Sequence, residues 1–542
     1  MSMVPNDRSR WLALAGVAIA SFLGCVDFTV VNTALPAMQQ DLGASIAQSQ
    51  WVVTAFVMAL SVFMVAAGRL ADLHGRRRVL YAGMLLFGLA SLGAGLAGSI
   101  HALIGWRLLQ GLACAALYTA STAIVAHAFP LSERGRAIGL LFSANGLGLA
   151  IGPVLGGVLV SLLGWRWVFL LNVPLIAVGF ALCASHIAES RGAGDGETLD
   201  RTGLLLLMLA LPCLLLAITH GDQWGWRSTR TLSAAAAGGL LLALLVRVER
   251  RQTSPLIRFD LFGNRRFMAA SAATFALAFF YCAAFFLMPL YLGLIRHQDS
   301  AMSGWLLLPT TAVMAVVSPL AGRLADRCGT TWPLLGGFAC LAVSAALQAG
   351  FDTGSGWPLV LAAFALMGLG WGSILGPSTV AALASVPPAL SGVAMGASWT
   401  LHNLGGALGL SLATVLYRSA ASQALLSQQP GLDPARAQAL VADPATGAVR
   451  LAGPVLSPAS VEAMIGHSFL AGYQAAMLLL LALSVGVLML LGWPGQRQVR
   501  LVSAGRATRL AGEARPVPAA SQPAPASPQT DSPSAPDDRC RE

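Results

Sequence analysis

Long apolar runs separated by short polar breaks recur along almost the entire chain. A helix needs about 20 residues, at 1.5 Å per residue, to cross a hydrocarbon layer of about 30 Å, and each run is long enough. The pattern therefore predicts an all-α integral membrane protein with fourteen transmembrane helices. They are placed at 11–35, 50–69, 79–99, 102–124, 137–160, 167–187, 203–219, 231–247, 267–290, 304–321, 333–350, 358–380, 391–416 and 467–491.

An internal repeat divides these helices into two related sets. The octapeptide GRLADLHG at 68–75, after the second helix, returns as GRLADRCG at 322–329, after the tenth. Duplication of this kind is typical of transporters that bind substrate between two halves and expose the site to each side in turn. We predict an N-terminal six-helix half at 1–187, two inserted helices with their connectors at 188–266, and a C-terminal half at 267–491.

Two further segments differ in composition from the helices. Residues 417–466 form a predicted long outer loop, whose role the sequence leaves open. The stretch at 515–538 is rich in Pro, Ala and Ser, a composition that cannot bury enough apolar surface to fold. We therefore predict a disordered cytoplasmic tail at 492–542.

Composition and charge agree with a membrane protein. The chain is 56% hydrophobic and 10% charged, and its net charge is +10. All 33 basic residues are Arg, and they lie in short segments between apolar runs, which argues against nucleic-acid binding. With both termini in the cytoplasm, 25 of them fall in cytoplasmic segments and seven outside, as the positive-inside rule requires.

Several motifs are more specific than the apolar pattern. They are DFTVVNTALP at 27–36, WRWVFLLNVP at 165–174, and the connector with PLI at 255–257 and LFGNRRF at 261–267. These stretches resemble the fourteen-helix drug:proton antiporter branch of the major facilitator superfamily, and the resemblance spans roughly residues 11–491.

The resemblance implies a function as well as the major facilitator fold. It implies a secondary transporter, not an enzyme, that exports small lipophilic drugs across the inner (plasma) membrane in exchange for protons and uses no cofactor. Its partners would be the substrate, protons and the lipid bilayer, and a periplasmic partner stays open. The alternatives are a dedicated exporter of an endogenous metabolite or antibiotic and, from another class, a membrane receptor or scaffold.

Asp27 is the acidic residue that lies well inside an apolar run. A carboxylate at that depth costs several kcal/mol unless it is paired, hydrated or protonated. A group that changes between neutral and ionised forms is what proton exchange needs, and the resemblance assigns the coupling acid here. The alternative is a structural acceptor, bonded to Thr29, Asn32 or a neighbouring helix.

Arg107 and His402 are the other candidates for proton coupling. Arg107 opens RLLQG in the fourth helix, which resembles a family motif for coupling, although Ala113 stands where the family often has Gly. A structural Arg107, satisfied by helix carbonyls and Gln110, is the alternative. His402 stands where many relatives carry Arg. Histidine can change charge near neutral pH, but a packing role is the alternative for it too.

Two further motifs are implied by the resemblance. An antiporter motif lies in the fifth helix, and small residues there permit close helix packing. A cytoplasmic gating motif lies in the repeated loops, although the positive-inside rule alone would explain its arginines. The antiporter residues are Gly148, Gly152, Pro153, Gly156 and Gly157, and the gating residues are Gly68, Asp72, Gly75, Arg76, Arg77 and Asp326.

Overall fold

The computed structural model describes residues 7–191, 199–252, 255–256, 260–429, 431–442 and 458–492. Long helices dominate this part of the chain, and each predicted helix overlaps one of them. They are α1 Asp7–Asp41, α2 Ile46–His74, α3 Arg76–Gly95, α4 Ile100–Ala128, α5 Arg134–Leu163, α6 Trp167–His186, α7 Arg201–Trp224, α8 Thr229–Glu249, α9 Arg265–Leu294, α10 Ser300–Cys328, α11 Thr331–Ala349, α12 Trp357–Ala384, α13 Ser391–Gln428 and α14 Pro458–Gly492.

Thirteen helices of the described chain are long and apolar enough to cross a membrane. The helix outside this set is α13, which has 38 residues and carries several Ser and Thr side chains as well as His402 and Asn403. Polar side chains in such a helix are satisfied by other helices of the bundle rather than by lipid. The predicted all-α membrane fold is confirmed.

The predicted outer loop at 417–466 is too long, because helical structure extends into it from both sides. Helix α13 continues to Gln428, a short helix follows at Pro434–Ala442, and α14 begins at Pro458. The extension of α13 buries Tyr417, Ala421 and Leu425, four residues apart on one helix face. Beyond Gly492, the tail predicted at 492–542 lies outside the described residues.

Two helix pairs make the most extensive contacts between the halves. Helix α2 packs against α13, and α5 packs against α10, so that each half contributes one early and one late helix. Within the N-terminal half, α1 packs against α5 and α6, while α4 packs against α2 and α3. The inserted helices α7 and α8 pack against each other, and α7 also contacts α2 and α13. The repeat seen in the sequence thus corresponds to a repeated pattern of helix contacts.

Candidate coupling site and contacts between the halves

A buried ion pair lies inside the N-terminal half. Asp27 of α1 and Arg107 of α4 form a salt bridge through carboxylate Oδ2 and guanidinium Nη1, and both side chains are fully buried. Carboxylate Oδ1 accepts from Asn172 Nδ2 of α6 at 3.1 Å and from Gln110 Nε2 of α4 at 3.4 Å. Asp27 therefore receives donors from two neighbouring helices.

Ser91 of α3 completes this group of side chains. Its hydroxyl oxygen accepts from Gln110 Nε2 at 2.8 Å and from Asn172 Nδ2 at 3.4 Å. We refer to Asp27, Ser91, Arg107, Gln110 and Asn172 as the Asp27 network. Four helices contribute to it, and each of its side chains is at least 98% buried.

The guanidinium of Arg107 is stabilised by more than the carboxylate. Its Nη1 also donates to Gln110 Oε1 at 2.8 Å, and its Nε donates to the carbonyl of Val52 in α2 at 3.1 Å. Its central carbon lies 4.2 Å from the ring centroid of Phe56 and 5.8 Å from that of Phe169. Aromatic faces attract cations, so these contacts stabilise a charge that cannot be lost by deprotonation.

The arrangement suits an ionised Asp27, because every neighbour of its two oxygens is a donor. A proton added to this carboxyl would neutralise the carboxylate, break the ion pair and leave Arg107 with the neutral acceptors Gln110 and Val52. The Asp27 network can therefore exist in two charge states that differ by one buried positive charge. Such a difference is large in a medium of low dielectric constant.

His402 lies elsewhere, in the C-terminal half. Its Nδ1 is 3.1 Å from the carbonyl oxygen of Thr274, and its Nε2 is 3.3 Å from the hydroxyl of Tyr281, both in α9. A carbonyl only accepts, so Nδ1 carries the proton, and Nε2 of the neutral ring accepts from Tyr281. The structure thus brings Asp27 and Arg107 together and places His402 in a separate group of side chains.

The α2–α13 junction consists of Gly68, Asp72, Gly392 and Val393. Asp72 accepts from the backbone N–H groups of Gly392 at 3.1 Å and Val393 at 2.9 Å, at the N-terminus of α13. A carboxylate at this position satisfies free N–H groups and interacts favourably with the helix dipole. A Cβ added at Gly68 would overlap the carbonyl of Gly392, so glycine is required for the close approach.

The α5–α10 junction repeats this geometry with Gly135, Arg136, Gly322 and Asp326. Asp326 accepts from the backbone N–H groups of Gly135 at 2.7 Å and Arg136 at 2.9 Å, at the N-terminus of α5. A Cβ at Gly322 would overlap the carbonyl of Gly135. The two octapeptides therefore form equivalent contacts, each holding an early helix of one half against a helix N-terminus of the other.

The remaining gating candidates have different partners. Arg76 donates to Asp72 at 3.1 Å and, across the boundary between the halves, to the carbonyl of Pro388 at 2.6 Å. Arg77 instead binds the connector that follows α6, where its backbone N–H and side chain contact Glu189. Gly75 has a φ of 107° and packs directly against the same carboxylate. Arg76 thus supports the α2–α13 junction, and Arg77 and Gly75 hold the segment that follows α6.

The antiporter motif divides into two faces of α5. Gly148, Gly152 and Gly156 face α1, where an added Cβ would meet Phe22, Thr29 and Thr33 respectively. Gly157 has open space at its Cβ position, and Pro153 is exposed. Three glycines spaced four residues apart therefore form the close α1–α5 contact. This contact fixes the position of α1, and therefore of Asp27, relative to α5.

The two faces of α5 provide a test substitution, at Gly152, and a matched control, at Gly157. Gly152→Val is expected to destabilise the protein by about 1–3 kcal/mol, because its side chain would overlap Thr29. Gly157→Val, in the same helix, is expected to change stability by less than about 0.5 kcal/mol. Thermal unfolding in detergent compares the two variants with the wild-type protein. Equal losses of stability in the two variants would show that the close α1–α5 contact does not require glycine at position 152.

Sequence reasoning missed Ser91 and Asn172 as members of the Asp27 network. A signal existed for both, because each is a polar side chain within an otherwise apolar run, and Asn172 lies inside the 165–174 motif. What the sequence lacked was the direction of each side chain. That direction depends on how α3 and α6 pack around α1.

Comparison with known proteins identifies the family of this chain. Residues 17–410 match the model of the Major Facilitator Superfamily. The chain belongs to the major facilitator superfamily. Members of this superfamily are transporters, so the predictions of a transporter and not an enzyme are confirmed.

Relatives and solved structures agree with membership of the superfamily. The tetracenomycin C resistance and export protein of Streptomyces glaucescens is 30% identical over 473 residues, which cover 86% of this chain and 88% of that protein. The multidrug resistance protein Stp of Mycobacterium tuberculosis (strain ATCC 25618 / H37Rv) is 33% identical over 407 residues, 75% of each chain. The crystal structure of the human organic anion transporter MFSD10 (TETRAN) shares the fold, with a TM-score of 0.60 at 15% identity over 89% of this chain and 99% of that one.

Proposed function

We propose that this major facilitator protein exports small lipophilic drugs or toxic organic compounds in exchange for protons. The observation that carries the proposal is the Asp27 network, which offers one titratable carboxyl in a fully buried position beside a permanent cation. The export and resistance functions named for the relatives support the direction of transport and the type of substrate.

The mechanism is a competition between a proton and the substrate. Protonation of Asp27 breaks the buried ion pair, leaves the charge of Arg107 uncompensated and favours return of the empty carrier, whereas loss of the proton accompanies substrate loading. The α2–α13 and α5–α10 junctions close one end of the interface between the halves. Because a conformational change requires differential binding to the two states, the proton acts by changing which state the Asp27 network stabilises.

The proton gradient is a sufficient energy source for this exchange. One elementary charge moving down about 100 mV releases roughly 2.3 kcal/mol. Each pH unit adds about 1.4 kcal/mol. The arginine distribution supports an inner-membrane orientation with both termini in the cytoplasm. Inward proton movement would then drive outward transport.

The test is proton movement in proteoliposomes that hold wild-type protein and a pH-sensitive dye. We expect a lipophilic drug, added from a panel of ethidium, tetraphenylphosphonium and neutral aromatic compounds, to cause a pH change that a protonophore removes. Protein-free vesicles control for passive leak. Drug transport without any pH change, from protein that unfolds cooperatively, would contradict proton exchange.

A dedicated exporter is the second candidate, because one relative is named for a single compound, tetracenomycin C, whereas another is named for multidrug resistance. The same panel separates the two. Responses to several unrelated compounds indicate a multidrug exporter. A response confined to one chemical scaffold indicates a dedicated one.

A further inference from the structure

A continuous group of aromatic rings joins the two halves of the protein. We name it the ring array, and its members come from α4, α5, α9, α12 and α13. They are Tyr118, Phe142, Tyr281, Trp371, Trp399 and His402. The Asp27 network does not include any of them, so the coupling mechanism leaves the array without a role.

Trp399 connects the two sides of the array. Its ring centroid lies 5.9 Å from that of Tyr118 with the planes 20° apart, and 5.9 Å from that of Phe142. In its own half it lies 4.9 Å from His402. The contacts with Tyr118 and Phe142 cross the boundary between the halves. They must therefore separate whenever the halves move apart, which would expose flat ring faces.

A second flat surface lies deeper in the C-terminal half. Tyr281 and Trp371 stack with centroids 4.1 Å apart and planes 13° apart. His402 links this pair to Trp399, because it contacts Tyr281 on one side and Trp399 on the other. Thr274, Ser398, Trp399 and His402 line a narrow gap that is too small for a water molecule in this structure. A ligand can therefore reach these rings only when the halves move apart.

The array also contains hydrogen-bond donors with no acceptor. The indole Nε1 atoms of Trp371 and Trp399 are buried and have no hydrogen-bond partner among the described residues, and Trp371 as a whole is 4% exposed. A buried N–H group without an acceptor costs free energy, which a ligand oxygen would recover. The array's tyrosine, tryptophan and phenylalanine rings carry no charge, and the neutral ring of His402 already satisfies Thr274 and Tyr281.

From these observations we propose that the ring array is the substrate-recognition surface, and that it takes planar conjugated compounds bearing carbonyl oxygens. The rings stack on the faces of the substrate, and the indole N–H groups of Trp371 and Trp399 donate to its carbonyls. Trp399 is a specificity-determining residue because it contacts both halves. This inference rests on the proposed export function, since it names the class of substrate that the exporter carries.

The test is equilibrium binding to purified protein in detergent, without a membrane or a proton gradient. The probes are a hydroxyanthraquinone, the carbonyl-free hydrocarbon anthracene, and tetraphenylphosphonium. We expect the quinone to bind wild-type protein at least fivefold more tightly than either other probe. Trp399→Phe and Trp371→Phe keep an aromatic face and remove the N–H donor, so each should weaken quinone binding about fivefold to tenfold and leave anthracene binding unchanged. Trp305→Phe, at a tryptophan that is 58% exposed, is the matched control.

The outcomes separate this inference from the proposed function. Equal binding of quinone and anthracene by wild-type protein, or preference for the phosphonium cation, would overturn the inference whether or not the variants fold. Quinone affinity that is unchanged in both tryptophan variants would also overturn it. Selective binding combined with no proton movement in proteoliposomes would support the ring array and contradict proton exchange.

Discussion

Asp27→Asn is expected to abolish proton-driven accumulation of substrate while leaving the protein folded. Asparagine keeps the shape of the side chain but cannot exchange a proton, so the substrate gradient should fall from the roughly five-hundredfold that one proton sustains at about 100 mV and one pH unit to none. Arg107 would retain Gln110 and Val52 as acceptors and Phe56 beneath its guanidinium. The measurement is drug accumulation in proteoliposomes under an imposed gradient.

Asp41→Asn is the matched control, because Asp41 is an exposed acid at the end of the same helix, where it pairs with Arg166. We expect this variant to transport as the wild-type protein does. Accumulation that persists in Asp27→Asn would show that protons are handled by another group. Loss in both variants would show that the effect is not specific to the buried carboxyl.

Substitution of Arg107, the other partner of the ion pair, should lower the stability of the protein. Arg107→Met leaves the carboxylate of Asp27 buried with only Asn172 and Gln110 as donors, so it should destabilise the protein by about 3–5 kcal/mol. The double variant Asp27→Asn with Arg107→Met removes both charges and should recover most of that loss without recovering transport. Thermal unfolding of the three variants measures the difference. A double variant as unstable as Arg107→Met would indicate that charge burial is not the cause.

Gly68→Ala is expected to open the end of the interface that the α2–α13 junction closes, and Gly322→Ala should act on the α5–α10 junction. Each added methyl group overlaps a backbone carbonyl in the opposing helix, so the neighbour cannot move aside by rotating a side chain. Overpacking of this kind costs about 1–3 kcal/mol. The cost falls on the closed state alone, so the ratio of open to closed states should rise about fivefold to 150-fold.

The measurement is the distance between spin labels at His74→Cys and Ala389→Cys in a Cys328→Ser, Cys540→Ser background. Both label sites and Cys328 are exposed, and Cys540 lies outside the described residues. Gly68→Ala should lengthen this distance and reduce transport by more than about tenfold. Gly105→Ala is the control, because it adds the same methyl group to a helix where nothing lies within 4 Å. An unchanged label distance in Gly68→Ala would mean that the junction tolerates the methyl group.

Much of the fold could be predicted because apolar length and the repeated octapeptide depend on sequence alone. The predicted helices from Trp11 to Leu491 each overlap an observed helix, and the repeat of Asp72 at Asp326 becomes a repeat of two contacts. The error at 417–466 arose because the end of α13 contains Arg418 and several Ser and Gln residues, which ended the apolar run although the backbone stays helical. Hydropathy indicates burial in lipid and gives no direct signal for helix continuation.

The site was less predictable, because it depends on which way side chains point. Asp27 and Arg107 stood out as charges within apolar runs, and the structure brings them together. Neither Ser91 nor Asn172 carries a charge, so the sequence marked them less clearly than Asp27 and Arg107, although Asn172 lies inside the 165–174 motif. His402 was predicted as a coupling residue from its position in the sequence. Its contacts with Thr274 and Tyr281 place it in the C-terminal half, as part of the ring array and apart from the Asp27 network.

The two junctions also bear on the leak of protons through the protein. Asp72 and Asp326 each hold a helix N-terminus of the opposite half, so rotation of one half as a rigid body separates both contacts in the same step. A state with only one junction broken would lose stabilising contacts without opening a passage for substrate. We therefore expect half-open intermediates to be sparsely populated and the proposed exchange to be close to two-state. Protons would then have little opportunity to cross between the halves uncoupled from the substrate.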